Sequence, residues 1–271
     1  MNKLGIIDYR NIIKTVRSTY SIDFNDFAMT SFKRKLEQII IKNKLGDADG
    51  LINKIKIDEN FKKIFLNEIS IDDTEMFRDP SLWREMKFIL NKEKNRQSFK
   101  IWFPEVSSGE ELYSFLILLK EIDLLDKVKL MVTSFSDKKI KLIKKGVFDL
   151  KKMEVNNANY IRYSLSGNLM NFYDKRNNKA YMHLSLLKNT DFKNYVSFNE
   201  NFTSNFHMIF FRNKMIYFNK TLQMKMLRII TNSLYLGGYF VIGIKEKFDN
   251  FSAISKFMVI NRYENIYKKI V

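Results

Sequence analysis

A chain of 271 residues with 45% hydrophobic residues and 24 Phe has enough apolar mass for one large or two smaller domains with real cores. The formal net charge is +17, there is no cysteine, and the two histidines are His183 and His207, which excludes a disulfide framework and any ordinary zinc site. No run approaches the roughly 18 apolar residues of a membrane span. The N-terminus, MNKLGIIDYRN, lacks the apolar core of a signal peptide, so a cytoplasmic location is expected.

The positive charge is densest in DKKIKLIKKGVFDLKK, Asp137 to Lys152, and raises the question of nucleic acid. Lysine is scattered along the chain, however, and no arginine-aromatic motif for base stacking accompanies it. Specific nucleic-acid binding is not expected. An acidic protein partner or an anionic membrane surface fits the charge at least as well.

Taken in order, residues 1–71 predict a small helical domain. Phe32, Leu36, Ile39 and Ile40 mark one face of a helix from about 26 to 44, stopped by Gly46, and shorter periodic pieces follow at about 48–55 and 59–69. SIDDTEMFRDP then reads as a linker, with Asp79 as cap and Pro80 in the first turn of a helix over 81–91. In FKIWF, Phe99, Ile101 and Phe103 alternate with Lys100 and Trp102, the period of a strand. A turn at Ser107-Ser108-Gly109 leads into a helix with Leu112, Phe115, Leu116, Leu119 and Ile122 on one face. Ser107 and Ser108 stand three residues before Glu110 and Glu111, the spacing of a capping box. Strand, glycine turn and helix in this order place a ligand at the carboxyl end of the strand.

A second strand is expected at 127–135 and a helix at 137–145, ended by Gly146. Residues 151–196 alternate and carry turn signals at Ser166-Gly167-Asn168 and at 175–178, which predicts a small antiparallel insert. A strand follows over 205–212. Asn219 is placed to cap a helix with Leu222, Met226, Leu227, Ile230 and Leu234 on its apolar face. Gly237-Gly238 turns into a strand over 239–244, and 257–260 and 263–270 close the chain as an antiparallel end of the sheet.

Four stretches in this order, TEMFRDP (Thr74 to Pro80), WFPEVSSGEELYS (Trp102 to Ser114), FFRNKMIYF (Phe210 to Phe218) and LGGYFVIGIKE (Leu236 to Glu246), resemble motifs of the CheR family of chemotaxis receptor methyltransferases. The resemblance runs from about Phe24 onward. It implies a class I, Rossmann-like α/β methyltransferase sheet over 79–271, preceded by an N-terminal helical domain and linker over 1–78 and interrupted by the β insert at about 151–196. It implies S-adenosyl-L-methionine as cofactor, S-adenosyl-L-homocysteine as product, and methyl esterification of glutamate side chains as the reaction. The implied partners are acidic helical cytoplasmic regions of chemoreceptors or a related protein.

Carried over residue by residue, the resemblance makes Arg78 and Tyr217 the catalytic pair. To the cofactor it assigns Asp72, Thr74, Glu110, Ser134, Asn201, Phe202, Arg212 and Asn213, with Asn201 and Phe202 lying in VSFNENF (Val196 to Phe202). The chain departs from the family at four places. Asp72 stands where the family has asparagine, and Ser134 where it has the aspartate that holds the ribose diol. Pro104 and Glu105 replace small residues, and Glu105 either crowds the cofactor or points away from it. Two readings therefore stand side by side: a working protein-glutamate methyltransferase, favoured by Glu110, Arg78, Arg212, Asn213 and Tyr217, and a degenerate relative serving as a binding or scaffold module, favoured by Glu105 and Ser134.

Overall fold

Apolar residues three and four apart, Tyr9, Ile12, Ile13, Val16 and Tyr20, bury one face of helix α1 (Ile6–Tyr20). The computed structural model describes residues 4–69, 75–96, 98–194, 205–248 and 252–271. Helices α2 (Met29–Lys42), α3 (Ala48–Ile57) and α4 (Phe61–Ile69) close a core around Phe24, Phe32, Leu36, Leu51 and Phe65. Helix α2 starts later than its periodicity predicts, because residues 26–28 tie this domain to the rest. The Ala28 N–H donates to the Tyr217 carbonyl at 2.8 Å and the Asn219 N–H to the Asp26 carbonyl at 2.8 Å. Phe27 packs edge-on against Phe218 with ring centroids 5.1 Å apart.

From residue 80 the chain runs α5 (Pro80–Lys92), β1 (Phe99–Phe103), α6 (Glu110–Glu121), β2 (Val128–Ser134), α7 (Asp137–Lys145), β3 (Val147–Asp149), α8 (Leu150–Ser164), β4 (Tyr173–Arg176), β5 (Lys179–Met182), β6 (Thr190–Asn194), β7 (Phe206–Phe211), α9 (Lys220–Ser233), β8 (Leu234–Ile242), β9 (Phe257–Asn261) and β10 (Ile266–Lys269). The main sheet has the order β6-β2-β1-β7-β8-β10-β9. Its pairings are parallel except that β10 runs antiparallel to β8 and to β9.

Strand β1 alternates its rings between two cores. Phe103 stacks on Phe210 at 4.9 Å on the face covered by α5 and α6. Trp102 stacks on Phe206 at 5.4 Å on the face covered by α9. The strand order reverses between β1 and β7, so the carboxyl ends of β1, β2 and β7 form the crevice in which open α/β sheets bind ligands.

The expected antiparallel insert is only partly so. Residues 150–164 form a helix, α8, whose buried Met153, Asn156, Tyr160 and Tyr163 are spaced three and four apart. The small antiparallel sheet is β3-β5-β4, with one strand before that helix. Its hairpin turns at Asn177-Asn178, both left-handed (φ 45° and 58°), as a two-residue hairpin loop requires. Strand β6 belongs to the main sheet, beside β2. No described helix is long and apolar enough to cross a membrane.

Candidate functional site at the carboxyl end of the sheet

The turn between β1 and α6 is built on one glycine and one strained residue. Gly109 takes φ 99°, and a Cβ there would lie 3.1 Å from Ile143 Cγ1, so both conformation and space call for glycine. Helix α6 starts at Glu110 with Gly109 as its N-cap, and neither serine caps it. The expected capping box is replaced by a shorter loop, in which the Ser108 hydroxyl donates to Glu110 Oε2. Glu110 and Ser134 are both buried, the latter completely. The Ser134 hydroxyl accepts the Ser136 N–H at 3.3 Å. Glu105, at φ 51°, is 3% exposed, and its Oε2 accepts the Phe135 N–H at 3.0 Å.

The linker comes down onto this turn and is fastened from both sides. The Phe77 N–H donates to Ser114 Oγ at 2.8 Å, and Ser114 Oγ donates to the Glu110 carbonyl at 2.7 Å. Asn156 Oδ1 accepts the Met76 N–H at 2.9 Å, and Trp83 Nε1 donates to the Arg78 carbonyl at 2.8 Å. Phe77 and Asp79 are both left-handed, with φ 52° and 57°. Such backbone costs about 1–3 kcal/mol per residue and persists only where the surroundings over-determine it. They do: the Phe77 ring is fully buried and stacks on Tyr163 at 4.8 Å, and the Asp79 carboxylate binds Arg212. Arg78, between the two, is part-exposed, and its guanidinium makes no hydrogen bond or ion pair with any described residue. Asp79 thus occupies the N-cap position of α5, but its side chain serves the arginine and not the helix.

At the end of β7, Arg212 is buried with a doubled ion pair, Nη2 to Asp79 Oδ2 at 2.5 Å and Nη1 to Glu111 Oε1 at 2.6 Å. Asn213 follows at φ 57°. Its N–H, with those of Lys214, Met215 and Gly243, converges on the buried Glu246 carboxylate at 2.6–2.8 Å. Burial raises the Glu246 pKa, and the four N–H donors act in the opposite direction. A Cβ on Gly243 would fall 2.3 Å from Asn213 Oδ1, so the close approach of these two segments fixes that glycine. Burial pushes the Lys214 ammonium down, opposed by the Glu111, Glu105 and Glu246 carboxylates. The Tyr217 ring lies on the side of the helical domain, with Lys35 Nζ 5.8 Å from its centroid.

The structure therefore gathers Arg78, Glu110, Ser134, Arg212 and Asn213 at the carboxyl end of the sheet, with Tyr217 where the two domains meet. No hydrogen bond or ring contact joins Arg78 to Tyr217 among the described residues. Asp72, Thr74, Asn201 and Phe202 lie outside the described residues. Sequence reasoning missed Asp79, Glu111 and Lys214 as charged members of the site. The available signal for Lys214 is its place beside Arg212 and Asn213 in the polar middle of FFRNKMIYF, whereas Asp79 and Glu111 stand at cap and capping-box positions.

The acceptors present fit a nucleoside carrying positive charge: buried carboxylates, Glu105 and Glu110, flank the turn at the end of β1, and Gly109 lets the backbone approach closely. A sheet of this order, parallel except for β10 set between β8 and the edge strand β9, is a class I methyltransferase fold, with S-adenosylmethionine as its cofactor. The chain belongs to the CheR methyltransferase family, whose SAM-binding domain matches residues 72–263. It is 28% identical over 265 residues to the methyltransferase Cher3 of Pseudomonas putida, covering 97% of each chain. It is 23% identical over 259 residues to chemotaxis protein methyltransferase 1 of Vibrio cholerae, covering 88% of each. Among solved structures, a class I S-adenosylmethionine-dependent methyltransferase of Listeria monocytogenes shares 9% identity at a TM-score of 0.39, over 98% of this chain and 89% of its own.

Proposed function

We propose that this chain esterifies glutamate side chains in acidic helical cytoplasmic regions of chemoreceptors. The observation that carries the proposal is Arg78: a guanidinium held at the sheet's carboxyl end by two strained, fastened neighbours and engaged by no described residue. Its planar fork can take both oxygens of an incoming carboxylate. The kinship with chemotaxis protein methyltransferases supports the same substrate class.

S-adenosylmethionine supplies an electrophilic methyl on a sulfonium, and a carboxylate is already the nucleophile, so no general acid or base is required. The residues have to hold oxygen, methyl and sulfur in line and exclude water. In this proposal Glu110 meets the cofactor's ammonium, and the turn from Val106 to Gly109 lies along it. Asp72, Thr74, Asn201 and Phe202 complete the cofactor's surroundings, as the family resemblance assigns them. Arg78 grips the acceptor carboxylate and Tyr217 orients it. Arg212 serves the cofactor through α6 and the linker, since its guanidinium is engaged by Asp79 and Glu111, and Asn213 serves it from the turn after β7, where its N–H binds Glu246.

The test is incorporation of a tritiated methyl group into receptor cytoplasmic fragments from the source organism, read as base-labile methyl ester. Labelled, base-labile product on glutamate is expected. Cofactor binding without transfer would instead favour a non-catalytic binding module.

A further inference from the structure

A nucleoside lying across the carboxyl end of a parallel sheet is held at its ribose by a carboxylate at the end of the second strand, because one carboxylate accepts from a hydroxyl donor that a neutral side chain grips weakly. Here that strand ends in Thr133-Ser134-Phe135, without an acid. Ser134 is fully buried, and its hydroxyl accepts the Ser136 N–H. A carboxylate nonetheless stands at this strand end, and it comes from the neighbouring strand. Past the end of β1 the Val106 N–H donates to the Thr133 carbonyl at 2.9 Å, which draws the chain against β2. Glu105 adopts φ 51°, a conformation side chains other than glycine's rarely take, and so turns sideways from the line of its own strand. Its Oε2 reaches the Phe135 N–H at 3.0 Å.

We propose that Glu105 is the ribose-binding acid of this chain, a carboxylate supplied from β1 in the place where β2 carries only Ser134. The replacement of a small residue by Glu105 and the loss of the acid at position 134 are then one change and not two. The assignment rests on the cofactor reading above but not on the receptor substrate.

The experiment is calorimetric titration of the full chain with S-adenosylhomocysteine and with its 2′,3′-dideoxy analogue. Glu105→Gln keeps the shape and an acceptor for the Phe135 N–H, and should weaken the ribose ligand by about ten- to a hundredfold, the loss of a charge-assisted hydrogen bond. The 2′,3′-dideoxy analogue should bind wild type and Glu105→Gln nearly alike. Adding Ser134→Asp to Glu105→Gln should recover most of the lost affinity for the ribose ligand. Equal or tighter binding of S-adenosylhomocysteine by Glu105→Gln would overturn the assignment and mark Glu105 as an obstruction. An equal loss for both ligands would overturn it in favour of a structural role, and a wild type that binds neither ligand would overturn it outright. A wild type that prefers the ribose ligand through Glu105 yet leaves receptors unmethylated would remove the proposed function and leave this assignment standing.

Discussion

Arg212 and Arg78 stand at the two ends of one short tie, since Arg212 binds Asp79 and Asp79 follows Arg78 in the chain. Arg212 is buried against two carboxylates, Asp79 of the linker and Glu111 of α6, and fixes the linker, β7 and α6 to one another. Arg78 sits beside that knot with its backbone fastened and its guanidinium engaged by no described residue. One arginine ties these segments together, and the other is the one we propose the site presents to its substrate. The lesson is that position within a family motif does not divide residues into ligands and supports; the partners each one already has do so.

The comparison is broken most severely by Arg212→Ala. It leaves the buried Glu111 and the part-buried Asp79 carboxylates without their cation, and breaking a buried pair this way costs about 3–5 kcal/mol. Urea denaturation should show that loss as a large drop in midpoint. Ser114→Ala comes next, because it leaves the Phe77 N–H buried without an acceptor, at about 1–3 kcal/mol. It should also lower methyl transfer, since it loosens the stretch that carries Arg78.

Asn219→Ala sharpens the contrast as a change in support alone. It removes the acceptor for the Leu222 N–H and should cost about 1 kcal/mol in thermal denaturation, with transfer per folded molecule unchanged.

The smallest effect lies at the opposite, amino end of the sheet. His207 Nδ1 accepts the Lys100 N–H at 3.0 Å, and burial holds its pKa below the ordinary value of 6.5. The unfolded chain therefore takes up a proton first as pH falls, so this part of the stability is present above about pH 6.5 and lost through the folded-state pKa. His207→Gln should flatten the stability profile as pH falls below about 6.5, without changing methyl transfer at neutral pH.

Much of this arrangement was legible in the chain because its signals are local. The 3.6-residue period of α6 and α7, the alternation in β1, the Gly146 stop and the Asn219 cap each concern neighbours in sequence. The helix α8 was misread although its period was present in Met153, Asn156, Tyr160 and Tyr163. The alternation of the hairpin that follows was extended backward over it. The pairs that define the site were not legible, for a physical reason. Arg212 meets residues 133 and 101 positions away, and a glutamate in a helix's first turn looks the same whether it caps the helix or neutralises a distant arginine. The same holds for Glu105, whose two possible directions were separated only by its left-handed backbone.

The most direct test of the distinction between the two arginines is methyl transfer by Arg78 variants, measured on receptor fragments beside their unfolding midpoints. Arg78→Lys keeps the charge and loses the planar two-pronged grip, so transfer should fall strongly while the unfolding free energy stays within about 0.5 kcal/mol of wild type, as for a part-exposed residue outside the packed interior. Arg78→Ala should abolish transfer with a similarly unchanged midpoint. Full transfer by Arg78→Ala, or a loss of stability approaching that of Arg212→Ala, would contradict the account.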